Sequence, residues 1–243
     1  GTYHVLEACR LYGDRIRRIV IASSDKAYGD CEALPYTEST PLAARNPYDV
    51  SKSCTDLIAQ SYASSYGLPV ALARCGNIFG PGDLHWNRLI PGTIRSLLRG
   101  ERPIIRSDGT LVRDYLFVED AVDAYLALAR WLDATTDRHD GCAFNFSSDQ
   151  PLSVLQMTEL VQHACDRKDL EPVILSEARG EIREQHLDST RALRELKWRA
   201  KTELPIALNA TVDWYRRYLR CDVAQEAMNP LPMPRPMKAR ASA

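Results

Sequence analysis

Ile19-Val20-Ile21-Ala22-Ser23-Ser24-Asp25-Lys26 sets the frame for this chain. Four apolar residues in a row, led in by Arg18 and closed by two serines, read as a short strand covered on both faces, as in a parallel sheet. A loop rich in Pro, Thr, Ser and Asp follows, and Asn46-Pro47 then opens a helix: Asn can cap it, and Pro suits its first turn. That helix is expected to run to about Tyr66, where Gly67 stops it. Val70-Ala71-Leu72-Ala73 gives a second buried strand, and Gly76-Asn77-Ile78-Phe79-Gly80-Pro81-Gly82-Asp83 a glycine-rich turn after it. Strand, helix, strand is the repeating unit of a parallel sheet, and ligands bind at the carboxyl ends of such strands.

Working outward, Val5, Leu6, Cys9 and Leu11 have roughly helical apolar spacing, with Gly13 as a stop, so the chain is expected to open inside a helix. Downstream, the pattern predicts helices near 89–98, 119–132, 153–166, 189–196 and 204–219. Strands are predicted at 115–118 and 143–147, with short ones near Val173 and His186. From Ala224 onward four prolines and no apolar period predict a disordered tail, assigned to 223–243.

Composition narrows the function classes. A formal charge of -1, from 31 basic and 32 acidic residues, leaves no excess for nucleic acid or an anionic membrane, so phosphate recognition has to be local. No segment reads as a membrane span or a signal peptide. Seven cysteines, an odd number without a CxxC pair, argue against a disulfide framework and point to a reducing cytoplasm; no metal site is expected.

Tyr48 and Lys52 lie four apart at the start of the second helix, on one face, where their side chains can meet. A tyrosine is a poor base at neutral pH, but a nearby ammonium favours its phenolate. Such a pair can exchange a proton with an alcohol while hydride leaves or arrives at the same carbon. The spacing alone equally describes an amphipathic surface turn. Position adds to it, because Ser23-Ser24 ends the preceding strand and would lie at the same sheet edge, with a hydroxyl able to hold a substrate oxygen against Tyr48.

SSDKAYGD, PYTEST, NPYDVSK, RCGNIFGPGD, NRLIPG, VRDYLFVEDAV, LDSTRALRELKW and TVDWY occur in this order. Together they resemble the extended short-chain dehydrogenase/reductases of the NAD-dependent epimerase/dehydratase family that act on nucleotide sugars, over residues 1 to about 220. The resemblance implies a Rossmann-like doubly wound parallel sheet whose N-terminal strands, with the glycine-rich cofactor fingerprint, lie upstream of residue 1, and a smaller C-terminal α/β substrate domain. Residues 1–80, with 106–150 returning, are assigned to the dinucleotide-binding domain; 81–105 and 151–222 are assigned to the substrate domain. NAD is the implied cofactor, a nucleoside-diphosphate sugar the substrate, and a homodimer built on the first two helices the assembly.

Within the family, Asp25-Lys26 is similar to the acid-plus-base pair of sugar-nucleotide 4,6-dehydratases, and with GPGDLHWNRLIPG looks most like the CDP-glucose type. Arg113-Asp114-Tyr115-Leu116 has instead the form of the wider family. The catalytic set implied is Ser24, Asp25, Lys26, Tyr48 and Lys52, with Ser23, Tyr48 and Lys52 against the cofactor. Oxidation at sugar carbon 4 acidifies the hydrogen on carbon 5, so one member of the Asp25-Lys26 pair can remove it while the other protonates the departing hydroxyl. Lys26 as base and Asp25 as acid is one assignment and the exchange another; a plain loop salt bridge is the alternative to both. Asn77, Arg88, Arg113 and Arg183 resemble positions that hold the phosphates, an arginine fork donating in pairs, and Asp188 is of the same kind. A 4-epimerase would need only Ser24, Tyr48 and Lys52; a non-catalytic cofactor-binding relative would need neither Tyr48 nor Lys52.

Overall fold

The computed structural model describes residues 1–134 and 142–228. In chain order its elements are α1 (Thr2–Tyr12), β1 (Ile19–Ala22), α2 (Pro47–Tyr66), β2 (Val70–Cys75), β3 (Asn77–Phe79), α3 (Leu89–Leu98), β4 (Ile104–Ile105) and β5 (Val112–Arg113). They continue with β6 (Tyr115–Phe117), α4 (Val118–Ala134), β7 (Ala143–Phe146), β8 (Leu152–Ser153), α5 (Val154–Cys165), β9 (Val173–Ile174), β10 (Glu184–Gln185) and α6 (Leu204–Met228). β2 is buried throughout and central: β1 and β7 pair with it in parallel, Ile19 opposite Val70 and Leu72 opposite Ala143.

Alternation along β2 sorts its side chains between two helical layers. Val70 and Leu72 pack with Leu6 of α1 and with Ala59, Tyr62 and Ala63 of α2. Ala71, Ala73 and Cys75 pack with Ala121, Ala124 and Leu128 of α4. The sheet is thus covered on both faces, as a doubly wound α/β fold requires. β1 departs from the expectation of burial on both sides: only Ile19 is buried and Ala22 is exposed, since β1 is the outer strand of this sheet among the described residues.

α2 forms for the reasons its ends announce. Asn46 has the extended backbone of a cap, Pro47 fills the first turn, and Gly67 at φ 65° closes the helix with its N–H on the Ala63 carbonyl. The Asn46 side chain does not cap; its amide donates to the Asp49 carboxylate at 3.3 Å. In α1 the apolar spacing overstates the buried face: Leu6 is fully buried, whereas Val5 and Leu11 are 57% and 70% exposed.

The glycine-rich segment is more than a turn. It carries β3, which pairs in parallel with β6, and Gly76 lies where any Cβ would stand 2.8 Å from the Cβ of Asp114. A second core gathers Ile90, Ile94 and Leu97 of α3, Met157 and Val161 of α5, and Leu208, Val212 and Tyr215 of α6. α5 begins with a capping box between Ser153 and Gln156. Short ladders lie beside it: β10 parallel to β5, β5 antiparallel to β8, and β4 parallel to β9. The helix predicted near 189–196 forms over Ala192–Leu196, with π geometry. α6 runs to Met228, nine residues beyond the predicted end at 219 and into the stretch read as a tail; 229–243 lie outside the described residues.

Candidate active site

The carboxyl end of β1 and the start of α2 meet. Lys52 on α2 donates from Nζ to the carbonyl of Ala22, the last residue of β1, at 3.2 Å. The same ammonium lies 5.8 Å from the centroid of the Tyr48 ring. Tyr48 and Lys52 therefore share a face as expected, but the contact is ammonium to ring. The expectation that Lys52 lowers the phenol's pKa is corrected. Tyr48 is pushed up from its ordinary value, first by burial of its surroundings and then by the carboxylate of Asp25, while Arg88 works in the opposite direction. Its side chain nevertheless stays 59% exposed, open to a ligand.

Ser23 and Ser24 separate at the strand end. Ser23, buried, donates to the Asp56 carboxylate at 2.8 Å, so its hydroxyl is turned into the protein. Ser24 donates to Asp25 Oδ1 at 2.8 Å and accepts from the Lys26 N–H at 3.3 Å, capping the 3₁₀ turn Asp25–Tyr28. One lone pair of Ser24 Oγ is left for a ligand hydroxyl.

Asp25 is 1% exposed, and Lys26 Nζ stands 3.7 Å from its Oδ2, with the Lys26 side chain 22% exposed. Asp25 Oδ2 is buried without a hydrogen-bond partner. Two further groups belong to this neighbourhood. Asp114 is fully buried; burial raises its pKa and the Asp25 charge adds to the rise, against bonds from Ser147, Ser148 and Leu187. The Cys75 thiol is pushed up to about 12 by burial, with Asp25 and Asp114 adding.

The phosphate candidates are held in different ways, with Asn77, Arg113 and Arg183 on adjoining segments. Arg88 pairs with Asp83 at 3.0 Å and projects toward solvent. Arg113 is turned inward, 7% exposed, with Nη2 on the Glu181 carboxylate at 2.9 Å and Nη1 on the Val112 carbonyl at 2.8 Å. Arg183 accepts the Val112 N–H through its carbonyl at 2.9 Å, and its side chain is exposed. Asn77 joins the Arg113-Asp114 segment by its backbone N–H, 2.8 Å from the Asp114 carbonyl. Asp188 accepts from the Thr190 N–H at 2.6 Å, a local cap.

Sequence reasoning missed Gln185, Asp114 and the buried Arg74–Asp56 pair. Gln185 Oε1 accepts from Lys26 Nζ across 159 residues of chain, a contact with no local signal. Arg74 carried one: a charge inside an otherwise buried strand demands an anionic partner.

The profile of the NAD dependent epimerase/dehydratase family matches residues 1–144. The chain is 32% identical over 219 residues to dTDP-glucose 4,6-dehydratase from Streptomyces griseus, covering 90% of this chain and 64% of that relative's length. Among solved structures, it superposes on UDP-glucose 4-epimerase from Thermotoga maritima with UDP-glucose at a TM-score of 0.80 and 28% identity, covering 90% of this chain and 69% of that one. The corresponding values for dTDP-glucose 4,6-dehydratase from Bacillus anthracis in complex with NAD are 0.76, 28%, 90% and 67%.

Proposed function

Since this chain belongs to the NAD dependent epimerase/dehydratase family, we propose that it is part of a nucleotide-sugar 4,6-dehydratase, using NAD as a recycled oxidant. The observation that carries the reading is the buried Asp25 with Lys26 beside it, immediately after Ser24 and within the electrostatic reach of Tyr48. A 4-epimerase needs a hydroxyl donor and a phenol; it has no use for a buried acid and amine at the strand end.

The cofactor fits the donor set. The Tyr48 hydroxyl and two of the three Lys52 N–H donors are available at the carboxyl end of β1, where a ribose diol can be held. NAD, when bound there, would supply the hydride acceptor for carbon 4 of the sugar and the hydride returned to carbon 6. Tyr48 Oη, once ionised, takes the carbon-4 hydroxyl proton as the carbonyl forms, and Ser24 turns its O–H from Asp25 to the carbon-4 oxygen. The ketone acidifies the carbon-5 hydrogen; Asp25 and Lys26 then divide two transfers, one removing that proton and the other delivering one to the carbon-6 hydroxyl, which departs as water. Asn77, Arg88, Arg113 and Arg183 are the diphosphate candidates, and Arg113 would exchange Glu181 for phosphate.

Two further parts of the reading concern assembly and place. α1 and α2 expose Tyr3, Val5, Leu11, Tyr12, Leu57 and Tyr66 on adjoining helices, a face suited to isologous pairing with a second copy and checked by sedimentation. No described helix is long and apolar enough to cross a membrane, which supports a cytoplasmic setting.

Lys26→Met in the whole protein tests the function. Carbon-4 oxidation should persist, seen as absorbance of the dihydronicotinamide, while 4-keto-6-deoxy product falls about a hundred- to ten-thousand-fold. Tyr48→Phe should abolish hydride transfer itself. If the unmodified protein returns a carbon-4 epimer that keeps its 6-hydroxyl, the reading fails and the epimerase takes its place.

A further inference from the structure

The Lys26 ammonium has a partner from a distant part of the chain. Its Nζ donates to Oε1 of Gln185, a residue 1% exposed on β10. Gln185 is itself fixed by backbone pairing. It lies opposite Arg113 in the β10–β5 ladder. One residue on, the His186 carbonyl accepts from the Tyr36 N–H at 2.9 Å, and the Asp188 N–H donates to the Tyr36 carbonyl at 2.9 Å. The Gln185 backbone is therefore held by its neighbours and its side chain is buried, whereas Lys26 is a long side chain on a short turn.

Gln185 Nε2 is buried without a well-formed hydrogen bond, like Asp25 Oδ2, although the Tyr36 phenol lies near enough to feel the Gln185 amide. If Gln185 were only a packing residue, an apolar side chain of its length would avoid that cost. Its polar end meets Lys26.

We propose that Gln185 is a positioning residue that aims the Lys26 amino group at the sugar for the proton transfer of water loss. The role rests on the dehydratase reading above. A lysine side chain has several free rotors, so an aimed amino group needs a fixed acceptor, and a misplacement of about 1 Å can cost roughly a hundredfold in rate. An amide is also the acceptor that fits. A carboxylate would put a second negative charge beside Asp25 and favour the ammonium form, whereas the amide holds Lys26 without that bias.

The test uses the whole protein with NAD and two variants, Gln185→Met, of similar length without an acceptor, and Gln185→Glu, which keeps an acceptor oxygen. Mass spectrometry after a brief pulse of acetic anhydride reads how freely Lys26 reacts. In Gln185→Met its labelling should rise several-fold, and in Gln185→Glu it should stay no higher than in the unmodified protein. In Gln185→Met, turnover to the 4-keto-6-deoxy sugar should fall about ten- to a hundredfold, with KM unchanged and reduced nicotinamide still formed. A merely structural role would weaken sugar binding and carbon-4 oxidation together with water loss, and that pattern overturns the proposal. Unchanged Lys26 labelling in Gln185→Met, in a protein that does make the 4-keto-6-deoxy sugar, overturns the role of Gln185 alone. An unmodified protein that makes only a carbon-4 epimer overturns the dehydratase reading, and this role with it.

Discussion

Ser23 and Ser24 are neighbours in sequence and belong to two polar clusters of opposite character. Behind Ser23, the Asp56 carboxylate accepts from Ser23 at 2.8 Å, from Arg74 Nε and Nη2 at 2.8 and 2.7 Å, and from Gln60 at 2.5 Å. Arg74 also donates to the Tyr28 hydroxyl at 2.8 Å, and Tyr28 donates to Asn145 at 2.6 Å. Ahead of Ser24, Asp25 and Gln185 each bury an atom without a well-formed hydrogen bond. A buried polar group left unpaired costs about 1–3 kcal/mol. The first cluster is a closed bidentate network that joins α2 to β2 and β7; the second keeps a cost that its own neighbours do not offset. Two charge clusters with similar residues thus differ in satisfaction, and that difference separates a closed structural network from the candidate site.

Opening the closed cluster should give the larger effect. Arg74 and Asp56 are 3% and 0% exposed, so removing one leaves the other charged with no route to water. Arg74→Met is expected to destabilise folding by about 3–5 kcal/mol, read as a lower urea midpoint at unchanged slope. Lys26→Met removes a cation 3.7 Å from the buried Asp25 carboxylate, beyond hydrogen-bond reach, and Asp25 keeps its bond from Ser24, so the loss should be smaller, about 1–3 kcal/mol. Equal losses in the two variants would erase the distinction.

Alkaline pH probes the two regions with a smaller effect. Burial pushes the phenols of Tyr28 and Tyr36 from an ordinary value of 10 up to about 12. The unfolded chain therefore ionises these tyrosines from about pH 10, while the folded protein keeps both protons until about pH 12. Their contribution is complete below pH 10 and is lost as pH rises between those values. Each should account for about 2–3 kcal/mol over that window. Unfolding free energies measured at pH 9 and above pH 11 should show the fall, and Tyr36→Phe should remove its own share of it. A flat profile in the unmodified protein would mean that the phenols are not held protonated.

The frame of the fold was legible because its signals are local. Pro47 and Gly67 mark both ends of α2, and a continuous apolar run marks β2, whose burial needs no knowledge of its neighbours. β3, β5 and β8 are two or three residues long, too short for any period to register. Val5 and Leu11 show the converse limit: spacing reports an apolar stripe, and only the fold decides which part of it is covered. At the site, Ser24, Asp25, Lys26, Tyr48 and Lys52 were legible through an ordered set of motifs. Gln185 was not, since its contact depends on β10 returning beside the turn after β1. The rise in the Tyr48 pKa was also hidden, because it comes from burial and from Asp25 rather than from the residue four positions on.

The smallest expected change in stability is the most discriminating. Asp25→Asn keeps an oxygen for the Ser24 hydroxyl, which donates to Oδ1 at 2.8 Å, and replaces the unpartnered Oδ2 with a neutral amide nitrogen. If Asp25 were an architectural partner of Lys26, as Asp56 is of Arg74, the variant would strand a buried cation and lose about 3–5 kcal/mol. Lys26, however, is 22% exposed and already donates to Gln185, so its charge keeps both water and an acceptor. Removing a buried carboxylate also removes its desolvation cost. The two terms are of similar size and opposite sign, so Asp25→Asn should unfold within about 1 kcal/mol of the unmodified protein. Water loss from the sugar should nevertheless fall about a hundredfold or more, because an amide cannot pass a proton. Stability kept and elimination lost, measured on the same preparation, would set this cluster apart from the closed one behind it; a loss of several kcal/mol would make Asp25 a second Asp56 and leave the chemistry without one of its two proton carriers.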